Sequence, residues 1–153
     1  MNDKPPDRKI HKPHSFNSSL RWTGSRTWLF KGAATDEVPG GPPPVFGGIE
    51  GQWSPEELML ASVNSCTVST FISYSLRKNF EFLSLESSIE GTLEFDGKGY
   101  VFTRMVVRPK VSVKTEADIQ TAIDYLHKAH EACFMGNSVK AIITIEPEVT
   151  VGE

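Results

Sequence analysis

Two cysteines, Cys66 and Cys133, are the side chains of this sequence best suited to covalent chemistry, and the chain has no others. A thiolate is a nucleophile and a metal ligand, whereas a thiol packed in hydrocarbon is an inert small hydrophobe. Most lone helical cysteines are of the second kind, so their surroundings have to decide. Cys66 follows Asn64-Ser65, and Cys133 precedes Gly136-Asn137-Ser138; these small or polar neighbours leave room beside sulfur. In a reducing compartment, such a pair is read as reactive or inert thiols rather than as a permanent staple. Zinc is a further option, because His127, His130 and Cys133 recur in steps of three. Steps of three drift around a helix, however, and the usual paired Cys-x-x-Cys is absent. His127 and His130 are therefore expected on a solvated face.

Cys66 lies inside the stretch that organises the chain, Ser54–Asn79. Ser54-Pro55-Glu56-Glu57 combines a capping residue, a first-turn proline and a Glu three residues on, which predicts a helix N-terminus. Both carboxylates also suit the positive end of the helix dipole, so Glu56 needs no catalytic role to be there. From Leu58 to Leu76 there is no charge, yet nine of nineteen positions are Ser, Thr, Asn or Tyr. A helix so uncharged is expected to be enclosed on most of its circumference. One so polar is a poor candidate for a membrane span.

The other elements follow from periodicity and punctuation. His14–Trp22 and Arg26–Lys31 read as a hairpin about Thr23-Gly24-Ser25. Gly32–Trp53, with six glycines and four prolines, reads as a long irregular loop, either functional or a plain connector. Phe82–Phe95 and Tyr100–Val113 form a second hairpin about Asp96-Gly97-Lys98-Gly99, with Pro109 at an edge or bulge. Apolar residues at Ile119, Ala122, Ile123, Leu126, Ala129 and Cys133 predict a second helix over 116–133 with Cys133 on its buried face. Met135-Gly136-Asn137 ends it, and Ser138–Ile145 forms a last strand. Both cysteines thus sit on helices that share one core and could come within disulfide range.

This order predicts an α+β fold with mainly antiparallel sheets around a long central helix. Residues 14–153 read as a single domain behind a poorly ordered tail, 1–13, which holds three of the ten prolines. One chain of 153 residues has too little material to enclose the central helix, so an obligate homodimer is expected. With 16 Lys and Arg against 19 Asp and Glu, neither nucleic acid nor an anionic membrane is a default partner. The N-terminus lacks the apolar run of a signal peptide, which points to the cytoplasm.

The segment SPEELMLASVNSCT, followed much later by AHEACFMGNSVKAIITIE, resembles the OsmC/Ohr family of thiol-dependent peroxidases. The family's first mark, P-E-[EQ]-L ten residues before a cysteine, is intact here. The second, A-x-x-x-C-P-x-S-x-S-hyd-K, is kept in register, with Phe134 where Pro is common and Gly136 where Ser is common. The resemblance implies an intertwined dimer with active sites at its interface and no cofactor. It implies that Cys66 is the peroxidatic cysteine, attacking an organic hydroperoxide to become a sulfenic acid, and that Cys133 resolves it to a Cys66–Cys133 disulfide. A dithiol or lipoyl-type reductant then regenerates the thiols. Glu56 matches a carboxylate that holds an arginine near the thiolate; Arg26 in WTGSRTW is the best match, with Arg21 the weaker candidate.

Elementary electrostatics requires that arginine. A free thiol, with a pKa of about 8.5, is mostly protonated at neutral pH, and Cys66 sits some three turns from the helix N-terminus, beyond the reach of the dipole. A cation has to come from elsewhere, and a guanidinium, always charged and forked, can bridge sulfur and carboxylate. Glu56 poses a geometric problem: ten helical residues rise ~15 Å, too far for Glu56 and Cys66 to share one guanidinium. Either the helix breaks between them, or Glu56 serves through another segment or a partner subunit. Val45, Phe46, Ile49, Trp53 and Phe71 are candidates to line an apolar substrate pocket or, as readily, ordinary core. The competing function is a dimeric binding protein of the same fold without peroxidase activity.

Overall fold

A computed structural model describes residues 11–152. Residues 1–10, the greater part of the expected tail, lie outside the described residues, as does Glu153. The described chain falls into two compact units, one ending at Ser54 and one starting at Pro55.

The first unit is a three-stranded antiparallel sheet, β1 (Ser18–Gly24), β2 (Thr27–Gly32) and β3 (Val38–Gly40), in the order β1-β2-β3. The β1–β2 turn falls where the Thr-Gly-Ser signal put it, with Gly24 at φ 119° and Ser25 at φ 48°. Side chains lock it: Thr27 Oγ1 donates to the Gly24 carbonyl (2.8 Å) and Trp22 Nε1 to the Ser25 carbonyl (2.9 Å). The Gly32–Trp53 segment is not wholly irregular. It contains β3 and a short 3-10 turn, Pro44–Phe46.

The second unit comprises α1 (Pro55–Arg77), β4 (Ser84–Phe95), β5 (Tyr100–Val113), α2 (Ala117–Glu131), β6 (Ile142–Ile145) and β7 (Glu148–Val151). The architecture is α+β. β4 and β5 are antiparallel, while β6 and β7 both pair with β5 in parallel, so this sheet is mixed rather than purely antiparallel. At the β4–β5 turn, Asp96 Oδ1 accepts from the Lys98 and Gly99 amides (2.9 and 3.0 Å). Those two bonds hold the Asp96 carboxyl below the usual range.

Pro109 is neither on an edge strand nor at the ladder's bulge, which falls at Thr92/Leu93. β5 is the central strand. The Val107 carbonyl accepts from the Glu146 amide (2.8 Å) and the Val113 carbonyl from the Gly152 amide (2.9 Å). Backbone groups of alternate residues point the same way along a strand, so the Pro109 nitrogen faces that side too. There, β6 pairs with Arg104–Val107 and β7 with Lys110–Val113. Pro109 meets the joint between them, where no ladder donor is needed.

The core of this unit is where both helices meet the sheet. Phe71 of α1 packs with Val111, Val113, Ala122, Leu126 and Ala129, and Val63 packs with Met105 and Val107. Fully burying a side chain of Leu or Phe size contributes about 1.5–3 kcal/mol. α1 buries one row in steps of four, Val63, Thr67, Phe71 and Ser75. Its many hydroxyls are largely self-satisfied. Ser62 donates to the Met59 carbonyl (2.8 Å), Thr67 to Val63 (3.0 Å) and Thr70 to Cys66 (2.8 Å). Asn64 reaches across to Ser87 of β4. Enclosure is incomplete within one chain, because Met59, Ile72 and Leu76 of α1 stay exposed (43%, 37% and 73%). Among the described residues no helix is long and apolar enough to cross a membrane.

Candidate active site

The end of α2 builds the first half of the site. The chain tightens after Glu131, with the Cys133 amide donating to the His130 carbonyl (3.2 Å) and Asn137 Nδ2 donating to the Glu131 carbonyl (3.1 Å). This carries Cys133 just past the helix and fully buries it. The Gly136 amide folds back and donates to Cys133 Sγ (3.2 Å), while the Cys133 thiol donates to the Val63 carbonyl of α1 (3.7 Å). A Cβ on Gly136 would stand 3.4 Å from Sγ and 3.5 Å from Ile143, an ordinary contact.

α1 builds the second half. Cys66 lies one turn beyond Val63 and beside buried Thr67, and it is itself half-buried. Both cysteines are free thiols, and Cys66 lies one turn along α1 from Val63, the residue whose carbonyl Cys133 Sγ faces. Burial pushes the Cys133 thiol up from the ordinary cysteine value; the Thr67 hydroxyl and Gly136 amide oppose that rise, and the neighbouring Cys66 adds to it. The α1–α2 contact thus brings the two sulfur groups together, with Cys133 kept as a thiol at neutral pH.

Glu56 stands in the first turn of α1. The helix is continuous from Pro55 to Arg77, so no break brings Glu56 back to Cys66, and the two lie ~15 Å apart along the axis. Glu56 instead lines a cavity of about 450 Å³ with Met59, Leu93, Phe102, Val139 and Lys140, and neither cysteine is in its wall. Glu56 Oε2 is buried there without a hydrogen-bond partner among the described residues. The sequence reading missed this cavity because its walls come from α1, β4, β5 and the 138–141 segment; Glu56 in the first motif and Lys140 in the second were the available signals. Phe71 is core, and Val45, Phe46, Ile49 and Trp53 are exposed.

Arg26 and Arg21 belong to the first unit, and their surroundings differ. Arg21 is exposed and paired with Glu37 (3.3 Å). Arg26 Nη1 donates to the neutral Phe46 carbonyl (2.6 Å), and Arg26 forms no ion pair among the described residues. A carbonyl orients a guanidinium without cancelling its charge. His127, His130 and Cys133 do not converge: among the described residues no three His, Cys, Asp or Glu side chains are placed to share a metal ion.

Comparison with known proteins agrees with this architecture. YmaD of Bacillus subtilis, an uncharacterized protein, is 22% identical over 101 residues, covering 64% of this chain and 67% of its own. An OsmC-like protein of unknown function from Vibrio cholerae superimposes with a TM-score of 0.80 at 23% identity, over 88% of this chain and 99% of that one. The organic hydroperoxide resistance protein OsmC of Legionella pneumophila gives 0.71 at 18% identity, over 92% and 100%. These likenesses show a shared fold. Residues 48–148, bracketing α1 and both cysteines, match the family described as OsmC-like protein, and the chain belongs to that family.

Proposed function

We propose that this protein is a thiol-dependent peroxidase that reduces organic hydroperoxides in oxidative stress defence. The Cys66 thiolate attacks the distal peroxide oxygen, the O–O bond breaks, and the alkoxide takes a proton and leaves as the alcohol. Cys66 is then a sulfenic acid, oxidised by two electrons. The Cys133 sulfur attacks it, an S–S bond forms, and hydroxide departs with the Cys133 proton as water. An external dithiol, of the lipoyl type or similar, returns two electrons and two protons and becomes the disulfide. The single observation that carries this reading is the placement of two free thiols at one junction, with Cys133 Sγ against the Val63 carbonyl one turn before Cys66. A cytoplasmic setting, where thiols are kept reduced, suits the cycle.

Arg26 supplies the charge that ionises Cys66, and its pairing with a carbonyl rather than a carboxylate favours it over Arg21. Glu56 takes part as a group of the partner subunit in a homodimer. The unbroken α1 and the exposed Ile72 and Leu76 support that arrangement. The test is consumption of cumene or t-butyl hydroperoxide against H₂O₂ with a dithiol. Wild type is expected to prefer the organic peroxides and Cys66→Ser to be inactive; activity retained in Cys66→Ser removes the nucleophile and overturns the reading. One observation favours a binding protein instead: the 450 Å³ cavity lies apart from both cysteines. That reading requires wild type to consume no peroxide.

A further inference from the structure

We propose that the Pro42–Gly48 turn is a positioning clasp for Arg26, in which the Phe46 carbonyl holds one guanidinium nitrogen and Gly47 supplies the space it occupies. The inference rests on the reading of Arg26 as the cation that ionises Cys66, and extends it to residues outside both family motifs.

The clasp is rigid by composition. Pro42, Pro43 and Pro44 fix three successive φ angles. The Phe46 and Gly48 amides both donate to the Pro43 carbonyl (2.9 and 3.1 Å), and the Gly47 amide donates to Pro44 (2.9 Å). Gly47 sits in the left-handed region at φ 81°, and a Cβ on Gly48 would overlap the Pro42 carbonyl. So constrained, the turn presents the Phe46 carbonyl to Arg26 Nη1 at 2.6 Å. A Cβ on Gly47 would stand 2.6 Å from that same Nη1. The chain also runs close on the backbone side, where a Cβ on Gly41 would stand 3.0 Å from the Arg26 carbonyl. A guanidinium carries five N–H donors, so one bond to a neutral carbonyl fixes its direction and leaves the charge and the other donors for a thiolate.

The molecule contains its own control. Gly51 has the same φ of 81° as Gly47, but a Cβ there meets nothing within 4 Å. Gly51→Ala therefore imposes the same backbone strain without touching Arg26. Gly47→Ala adds a methyl group against the mobile end of a side chain, which moves aside while the turn persists.

The experiment follows the pH profile of Cys66 alkylation, with the modified cysteine located by mass spectrometry, in the full chain. Gly47→Ala is expected to slow alkylation about ten-fold at neutral pH, the scale of a lost hydrogen bond to a charged group, and to move the profile to higher pH. Gly51→Ala is expected to match wild type. Arg26→Gln is expected to lose at least as much as Gly47→Ala, and the double variant to lose no more than Arg26→Gln alone. If Arg26→Gln leaves the profile unmoved, the underlying assignment of Arg26 fails. If Arg26→Gln moves it while Gly47→Ala equals Gly51→Ala, the clasp alone is overturned. Should Gly47→Ala not fold, Pro44→Gly replaces it: it loosens the turn without placing an atom near the guanidinium, and an unmoved profile overturns the clasp in the same way.

Discussion

The two cysteines differ in their surroundings. Cys133 is fully buried, donates to one carbonyl of α1 and accepts from one amide, and burial raises its pKa. Folding thus favours its protonated form. The sign of the linkage is fixed: this contribution to stability is fully present below the unfolded cysteine pKa of about 8.5 and is lost as pH rises beyond it. Wild type should therefore lose thermal stability above that pH more steeply than Cys133→Ser, and parallel curves would refute the assignment. The same shift governs disulfide formation. After one equivalent of hydroperoxide, the rate of Cys66–Cys133 closure should keep rising with pH beyond ~8.5, because only the Cys133 thiolate attacks. Thr67→Val removes a hydroxyl that opposes the shift, so closure at pH 7 should slow by roughly three- to ten-fold, the scale of one hydrogen bond. Stopped-flow thiol loss reads both effects, and an unchanged Thr67→Val rate would show that the hydroxyl serves only the Val63 carbonyl.

Among the elements, α1 is held against the sheet by what one position lacks. A Cβ on Gly91 of β4 would stand 2.5 Å from Leu60 of α1 and 2.7 Å from Phe102 of β5. Gly91→Ala should thus force both side chains outward and lower stability by about 1–3 kcal/mol, the range for overpacking. Leu126→Ala, which empties a fully buried site on α2, should cost about 2–5 kcal/mol. Denaturant midpoints with unchanged slopes would confirm both, and a Gly91→Ala midpoint equal to wild type would mean the two elements have slack between them. α1 and β5 were legible in the sequence because capping residues, charge-free length and turn glycines bracket them unambiguously. The last strand was read four residues early, because Ser138 completes a 3-10 turn and Val139–Ala141 face the cavity. β3 and β7 were missed; three or four residues carry too little alternation, and each exists through its neighbour, β2 or β5. Burial of Cys133 was legible from the apolar spacing of α2, although the residue itself falls just past the helix end. The hold on Arg26 was not, since a backbone carbonyl such as that of Phe46 has no side-chain signature.

For the molecule as a whole, the exposed side of α1 is the feature one chain leaves unresolved. Ile72 and Leu76 present apolar surface on the side of α1 turned away from its buried row. Exposed apolar residues scattered singly need no explanation, whereas a contiguous apolar patch is the kind of surface on which chains associate. Within one chain, moreover, Glu56 has a buried oxygen without a partner among the described residues and lies ~15 Å from Cys66 along an unbroken helix. A second copy would meet both demands at once, covering the apolar side and offering Glu56 a cationic partner. Sedimentation should accordingly give a two-chain particle of about 34 kDa, twice the 17.0 kDa of one chain. Leu76→Glu places a charge on that face, where burying it unpaired is costly, and should shift the equilibrium toward monomer. If Cys66 needs an arginine held by the partner's carboxylate, peroxidase activity and thiolate reactivity should fall together as the particle dissociates on dilution. A monomeric wild type with full activity at micromolar concentration would show that each chain carries a complete site and would remove Glu56 from it.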